Sequence, residues 1–187
     1  LHLDNSACNL ASLNLLKFLE ADENDRFDLE GFCHAVRVVF TAQDILVGNA
    51  DYPTEAIGET SRDFRQLGLG YTNLGAMLMA LGLPYDSEDA RAWAGAVTAL
   101  MSGQAYSTSV DLARRVGAFS GYASNSEPMQ QVLRRHQEAL VSVPQSAPRD
   151  LMDAAHSSWD DAVTGCQQHG IRNSQATVIA PTGTISF

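Results

Sequence analysis

A mostly helical α/β chain with a strand near each end is predicted by three observations. A β-branched run, Thr177-Val178-Ile179, leads into the small-residue turn APTGTISF, Ala180 to Phe187. The opening residues alternate apolar and polar side chains around Leu1, Leu3 and Ala7, and the long stretch between the two ends carries helical spacing punctuated by capping residues. Two strands so far apart cannot satisfy their backbones alone, because a pair of strands without a larger sheet is marginal. They are expected to join something bigger, which makes the 187 residues an internal segment of a larger enzyme.

Taken in order, the opening strand leads into a turn or short helix where leucines close up at Leu10, Leu13, Leu15 and Leu16, and the charged stretch from Glu20 to Arg26 reads as a loop. Asp28 can cap a helix with Phe32, Val36, Val39, Phe40 and Leu46 on one face, ending near Gly48-Asn49. Residues 51–62 contain Pro53 and several polar side chains and read as a connection. The segment RQLGLGYTNLGAMLMALGLPYDS reads as helical from about Tyr71 to Leu81, its glycines implying close packing. Gly82 stands where a C-terminal cap belongs, Pro84 prevents continuation, and Asp86 or Ser87 starts a longer helix that carries Trp93, Val97, Leu100 and Met101 inward and runs to Gly117. Asn125 or Ser126, with Pro128 in the first turn, opens another helix with Met129, Val132, Leu133, His136 and Leu140 on its apolar face. Val141 to Arg149 has two prolines and no periodicity and is read as a linker; a final helix, Asp150 to Gln168, passes through Gly170 to the terminal strand.

Composition narrows the function. A 45% hydrophobic content is enough for a buried core, so a soluble globular piece is expected. Twelve basic against 22 acidic residues give a net charge of -10, which argues against extended contact with a nucleic-acid polymer; a nucleotide would bind as a small molecule. No apolar stretch approaches the length of a membrane span and no signal-peptide pattern opens the chain, so no membrane partner is expected and the cytoplasm is the expected location. Cys8, Cys33 and Cys166 are odd in number and widely separated, which suggests neither a disulfide framework nor a zinc site. The five histidines form no i, i+4 pair and no H-E-x-x-H, so no metal site is expected.

Two places could carry chemistry. Pro181 fixes a backbone angle, Gly183 removes a side chain where a ligand must approach, and Thr182 and Thr184 offer hydroxyls beside backbone N–H groups that can converge on a phosphate; an ordinary strand-ending turn would have the same residues. Cys8 lies in DNSACNLASLNL among Asn5, Ser6, Asn9 and Ser12, a polar setting suited to a redox thiol, although a buried structural cysteine is the commoner case. Cys33 falls on a Val- and Phe-rich helix and reads as core, and Cys166 as structural or surface. GLGYTNLG, Gly68 to Gly75, lacks the G-x-G-x-x-G spacing of a dinucleotide loop and has no β-rich segment before it, so it reads as helix entry.

The combination of DNSACNLASLNL, RQLGLGYTNLGAMLMALGLPYDSEDARAWAGAVTALMSGQAYSTS and RNSQATVIAPTGTISF resembles the class II, adenosylcobalamin-dependent ribonucleotide reductases, over nearly the whole chain and weakening only around Val141 to Arg149. The resemblance implies a middle portion of the family's ten-stranded α/β barrel, made of two parallel half-barrels with a finger loop inside. It implies that Cys8 is one of the two cysteines that reduce the substrate and close to a disulfide, with its partner upstream of Leu1. It implies that Pro181, Thr182, Gly183, Thr184 and Ile185 form the loop that holds the phosphate of a ribonucleoside di- or triphosphate. The family's N-x-C-x-E motif, which carries the radical cysteine, is absent from the 187 residues, so the segment alone is expected to be inactive. Adenosylcobalamin as cofactor, with contacts not located, and a thioredoxin-like dithiol reductant follow from the same resemblance, which leaves a homodimer of the whole protein open. Two other readings stand beside it: a class I catalytic subunit, and a non-catalytic helical binding module in which Cys8 is core and the PTG turn only a turn.

Overall fold

Local sequence chemistry explains most of the helices. The computed structural model describes residues 3–20 and 27–180. Strand β1, Asn9–Asn14, is followed by a single 3-10 turn, Leu15–Phe18, and then by helix α1, Leu29–Asn49. Asp28 caps α1 by accepting a hydrogen bond from the Gly31 amide at 2.8 Å. Helix α4, Glu88–Val116, starts at Ser87, whose hydroxyl accepts from Ala90 N–H at 3.1 Å, and stops at Gly117, where φ is 89°. Helix α3, Leu74–Ala80, ends in a Schellman turn: Gly82, at φ 69°, donates to the Met79 carbonyl, and Leu83 donates to that of Leu78. Helix α5 is Tyr122–Glu138 and helix α6 is Arg149–His169, which ends at Gly170 with φ 72°.

The strands are where structure and sequence part. The first strand begins at Asn9, past the alternating Leu1 to Ala7, and includes Leu10 and Leu13. Residues Leu67–Thr72, expected to enter a helix, form strand β2, and the helix after it is confined to Leu74–Ala80. β2 pairs in parallel with β1 along its whole length, from Asn9 opposite Leu67 to Asn14 opposite Thr72. On its other side it takes residues 175–178: Leu67 donates to the Gln175 carbonyl, Leu69 to that of Ala176, and Val178 to that of Leu69, with Leu69 opposite Thr177. The central strand is thus a third element between the two that the sequence showed. It escaped notice because a strand buried on both faces has no apolar-polar alternation to display.

Residues 51–62 also contain more order than a connection, since helix α2 spans Glu55–Phe64 and is capped by the Thr54 hydroxyl. It buries Gly58 and Ser61 and half-buries Ile57 and Phe64, an inward face with few large apolar residues for the sequence to reveal. Helix α5 begins at Tyr122, earlier than Asn125, which leaves Pro128 inside it. The stretch read as a linker, Val141 to Arg149, holds the end of a 3-10 turn, Ala139–Ser142, and the start of α6, and Val143 rests against Gly95 of α4.

Helices α1 and α4 cover one face of the parallel sheet, and α6 packs along α4. The core runs continuously from Leu13, Phe32, Val36 and Phe40 through Leu67 and Leu69 to Leu100, Met101 and Trp159. Trp159 donates its indole N–H to the Ala99 carbonyl at 3.0 Å, stacks on His136 and meets the Tyr106 ring at a tilt. Leu46, expected on the buried face of α1, is 55% exposed; the face continues instead through Gln43, Asp44 and Val47, all buried. Among the described residues no helix is long and apolar enough to cross a membrane.

Candidate active site

Side chains alternate across the sheet, so Leu13, Leu67, Leu69 and Tyr71 turn to the helices while Cys8, Leu10 and Ser12 share the other face with Gly68, Gly70 and Val178. On the helical side, Tyr71 Oη lies 3.0 Å from Thr98 Oγ1 and Thr177 Oγ1 lies 3.3 Å from Ser102 Oγ, which ties both later strands to α4. The opposite face is made of small groups. A methyl group on Gly68 would stand 2.5 Å from Leu10 Cδ2, 2.8 Å from Val178 Cγ1 and 2.9 Å from Cys8 Sγ. The missing side chain of Gly68 is therefore the space into which the thiol and the third strand both lean.

Cys8 is half-buried, and burial pushes its thiol above the ordinary value of 9.0. Of the polar sequence neighbours, Asn9 meets the sulfur through its carbonyl, 3.8 Å from Cys8 Sγ. Asn9, one residue on, turns to α1, where its carbonyl accepts from Gln43 Nε2 at 2.8 Å; Ser6 donates to the Leu3 carbonyl. Ala7 N–H donates to Ser61 Oγ of α2 at 2.9 Å, so both sides of Cys8 are held by helices. Further along the same face Ser12 Oγ is buried without a hydrogen-bond partner among the described residues and faces Gly70. Cys33 packs against the core, and Cys166 is buried, its Sγ 3.5 Å from the Tyr122 hydroxyl; burial raises both thiols.

The turn residues Pro181, Thr182, Gly183, Thr184 and Ile185 lie outside the described residues. The strand that leads to them does not. Past Thr177 and Val178, the chain reaches Ile179 and Ala180 at the carboxyl ends of β2 and its neighbour, where an open cavity of about 430 Å³ is lined by Tyr71, Thr72, Asn73, Tyr85 and these two residues. That end of a parallel sheet is where α/β proteins bind their ligands.

Comparison with known proteins matches this arrangement to a family. The model described as "Ribonucleotide reductase, barrel domain" covers residues 1–187. The chain belongs to that family. It is 50% identical over 185 residues to a vitamin B12-dependent ribonucleotide reductase of Rhodopirellula baltica, covering 99% of this chain and 18% of that protein. It is 50% identical to the protein of the same description from Streptomyces clavuligerus, over 100% of this chain and 20% of that one. The Bradyrhizobium diazoefficiens protein so described is 44% identical, over 99% and 16%. The chain thus spans about a fifth of the length of these relatives.

One group in this barrel segment has no counterpart in the sequence reading. Asp44 Oδ1 accepts from Arg65 Nε at 2.8 Å and from Asn173 Nδ2 at 2.8 Å. Arg65, the C-terminal cap of α2 at φ 51°, also donates to the Asp44 carbonyl, and its own carbonyl accepts from Asn173 Nδ2 at 3.1 Å. Ser109 of α4 completes the group: its hydroxyl donates to Asn173 Oδ1 at 2.7 Å and accepts from the Asn173 amide at 3.0 Å. Arg172 Nε stands 3.6 Å from Asp44 Oδ2. All but Arg172 are buried, and together they join α1, α2, α4 and the start of the third strand. A signal existed, since Gln43 and Asp44 follow Phe32, Val36 and Phe40 on the buried face of α1, where apolar residues would be expected.

Proposed function

We propose that the chain is part of a vitamin B12-dependent ribonucleotide reductase, a radical enzyme that makes deoxyribonucleotides, to which it contributes one redox thiol, Cys8, and the substrate phosphate loop, Pro181 to Ile185. The observation that carries the reading is the convergence at Gly68, where Cys8 and Val178, three residues before Pro181, border the same space. A thiol that reduces a ribose must sit within reach of a substrate whose phosphate is held nearby, and neighbouring parallel strands supply both from one rigid support.

In the reduction step, Cys8 and a partner thiol outside this chain together give up two electrons and two protons. The substrate's 2′-hydroxyl leaves as water, hydrogen takes its place, and the two sulfurs join as a disulfide, which a thioredoxin-like dithiol then reduces. Burial keeps the Cys8 proton on sulfur at neutral pH, which suits a group that must deliver hydrogen rather than act as a free thiolate. Adenosylcobalamin is the cofactor this reading requires. Its cobalt would be held by its own corrin ring and not by a cluster of protein ligands, and it would supply the radical chemistry when bound.

The test is Cys8→Ser in the complete protein, supplied with cofactor, nucleotide and a dithiol protein reductant. Turnover should be lost while the thermal midpoint stays near that of the parent. Unchanged turnover would sink the assignment.

A further inference from the structure

We propose that Gln43 and Asp44, adjacent residues of α1, are positioning residues that set the station of the Cys8 thiol against the strand leading to Pro181. The inference rests on the redox reading of Cys8 given above. Gln43 is 4% exposed and its amide holds the chain one residue from the sulfur, through Nε2 to the Asn9 carbonyl at 2.8 Å; Asn9 Nδ2 returns to the Gln43 carbonyl at 3.5 Å. Asp44 holds the other partner, through Asn173, which is fully buried and two residues before the first hydrogen bond of the third strand to β2. A single helical turn therefore grips both segments that meet over Gly68.

Stability alone does not call for this arrangement. Burying an amide and a carboxylate costs desolvation that a leucine or valine at the same positions of α1 would avoid, and such groups persist where direction matters, since a hydrogen bond fixes distance and angle and an apolar contact does not. Among the described residues the Gln43 oxygen, Oε1, is buried with no partner, so the side chain sits there with only its N–H side in use. Its one directed contact is the Asn9 carbonyl.

The experiment uses the complete protein with its cofactor. The enzyme is prereduced and allowed one turnover without external reductant, and product formation, substrate KM and the rate of Cys8 alkylation by iodoacetamide are measured for the parent, Gln43→Met, Gln43→Asn and Cys8→Ser. Gln43→Met keeps the volume and removes the donor. Gln43→Asn keeps the amide and shortens its reach, and serves if the first variant does not fold. Either should slow the single turnover about 10-fold or more and change the alkylation rate of Cys8, with KM moving less than about 2-fold, because displacement of a reacting group by a fraction of an ångström is costly in rate. If Cys8→Ser abolishes turnover while both Gln43 variants keep the parent's rate and alkylation, the positioning inference is overturned and the redox reading stands. If Cys8→Ser keeps full turnover, the redox reading has failed, and the alkylation rates then decide whether Gln43 places this thiol at all; no change in them overturns that as well.

Discussion

Gly70→Ala is the sharpest structural test of the three-strand arrangement. Gly70 lies in the middle of β2, opposite Ser12 of β1 and buried. A β-carbon there would stand 2.4 Å from the Val178 carbonyl oxygen, a backbone atom that cannot rotate away, so the third strand would have to retreat by about 0.6 Å merely to reach 3.0 Å. That retreat stretches the hydrogen bonds from Val178 N–H to Leu69 O and from Leu69 N–H to Ala176 O, both near 3.0 Å now. Overpacking of this kind costs about 1–3 kcal/mol and weakening of a buried ladder bond about 1 more, which puts the loss at roughly 2–4 kcal/mol. Hydrogen exchange read by mass spectrometry should show the amides of Leu69 and Val178 exchanging roughly 30- to 700-fold faster, at about 1.4 kcal/mol per tenfold. Gly75→Ala is the control: only Tyr85, at 3.9 Å, would meet its methyl group, and alanine is the better helix former, so exchange should stay level or slow slightly. If Gly70→Ala exchanges within about threefold of the parent, the close approach of the third strand to β2 is wrong.

Two further outcomes follow from the buried groups. Asp44→Ala leaves Arg65 buried without its carboxylate and removes one of the two acceptors of Asn173 Nδ2, and should lower stability by about 3–5 kcal/mol in chemical unfolding; a loss under about 1 kcal/mol would show the pair to be solvated. Because burial raises the Cys8 thiol above 9.0, its alkylation by iodoacetamide should keep accelerating as pH rises through 9, the thiolate appearing only above the ordinary range; a plateau below pH 9 would contradict the burial argument.

Sequence alone determined the elements whose signals are local. Asp28, Ser87, Gly82, Gly117 and Gly170 mark helix ends because a cap acts on residues within one turn, and the spacing of Phe32, Val36 and Phe40 marks a buried helix face for the same reason. The terminal β-branched run does pair with β2, through a parallel bridge at Thr177 and the hydrogen bonds beside it, and the resemblance of the motifs agrees with the barrel family that the chain belongs to. Tertiary structure decided what depends on partners distant in the chain. LGLGYT is a strand because Leu10 on one side and Val178 on the other need the room its glycines leave, and no window of sequence contains all three. The setting of Cys8 was only partly visible in its neighbours: the Asn9 carbonyl meets the thiol, but pleating turns the Asn9 side chain to Gln43 while the thiol's face is completed by residues 60 and 170 positions further along. Asp44 left a trace as a polar residue on the buried face of α1, but its grouping with Arg65, Ser109 and Asn173 did not: four polar residues on four separate segments become a group only when the helices and the sheet are packed together.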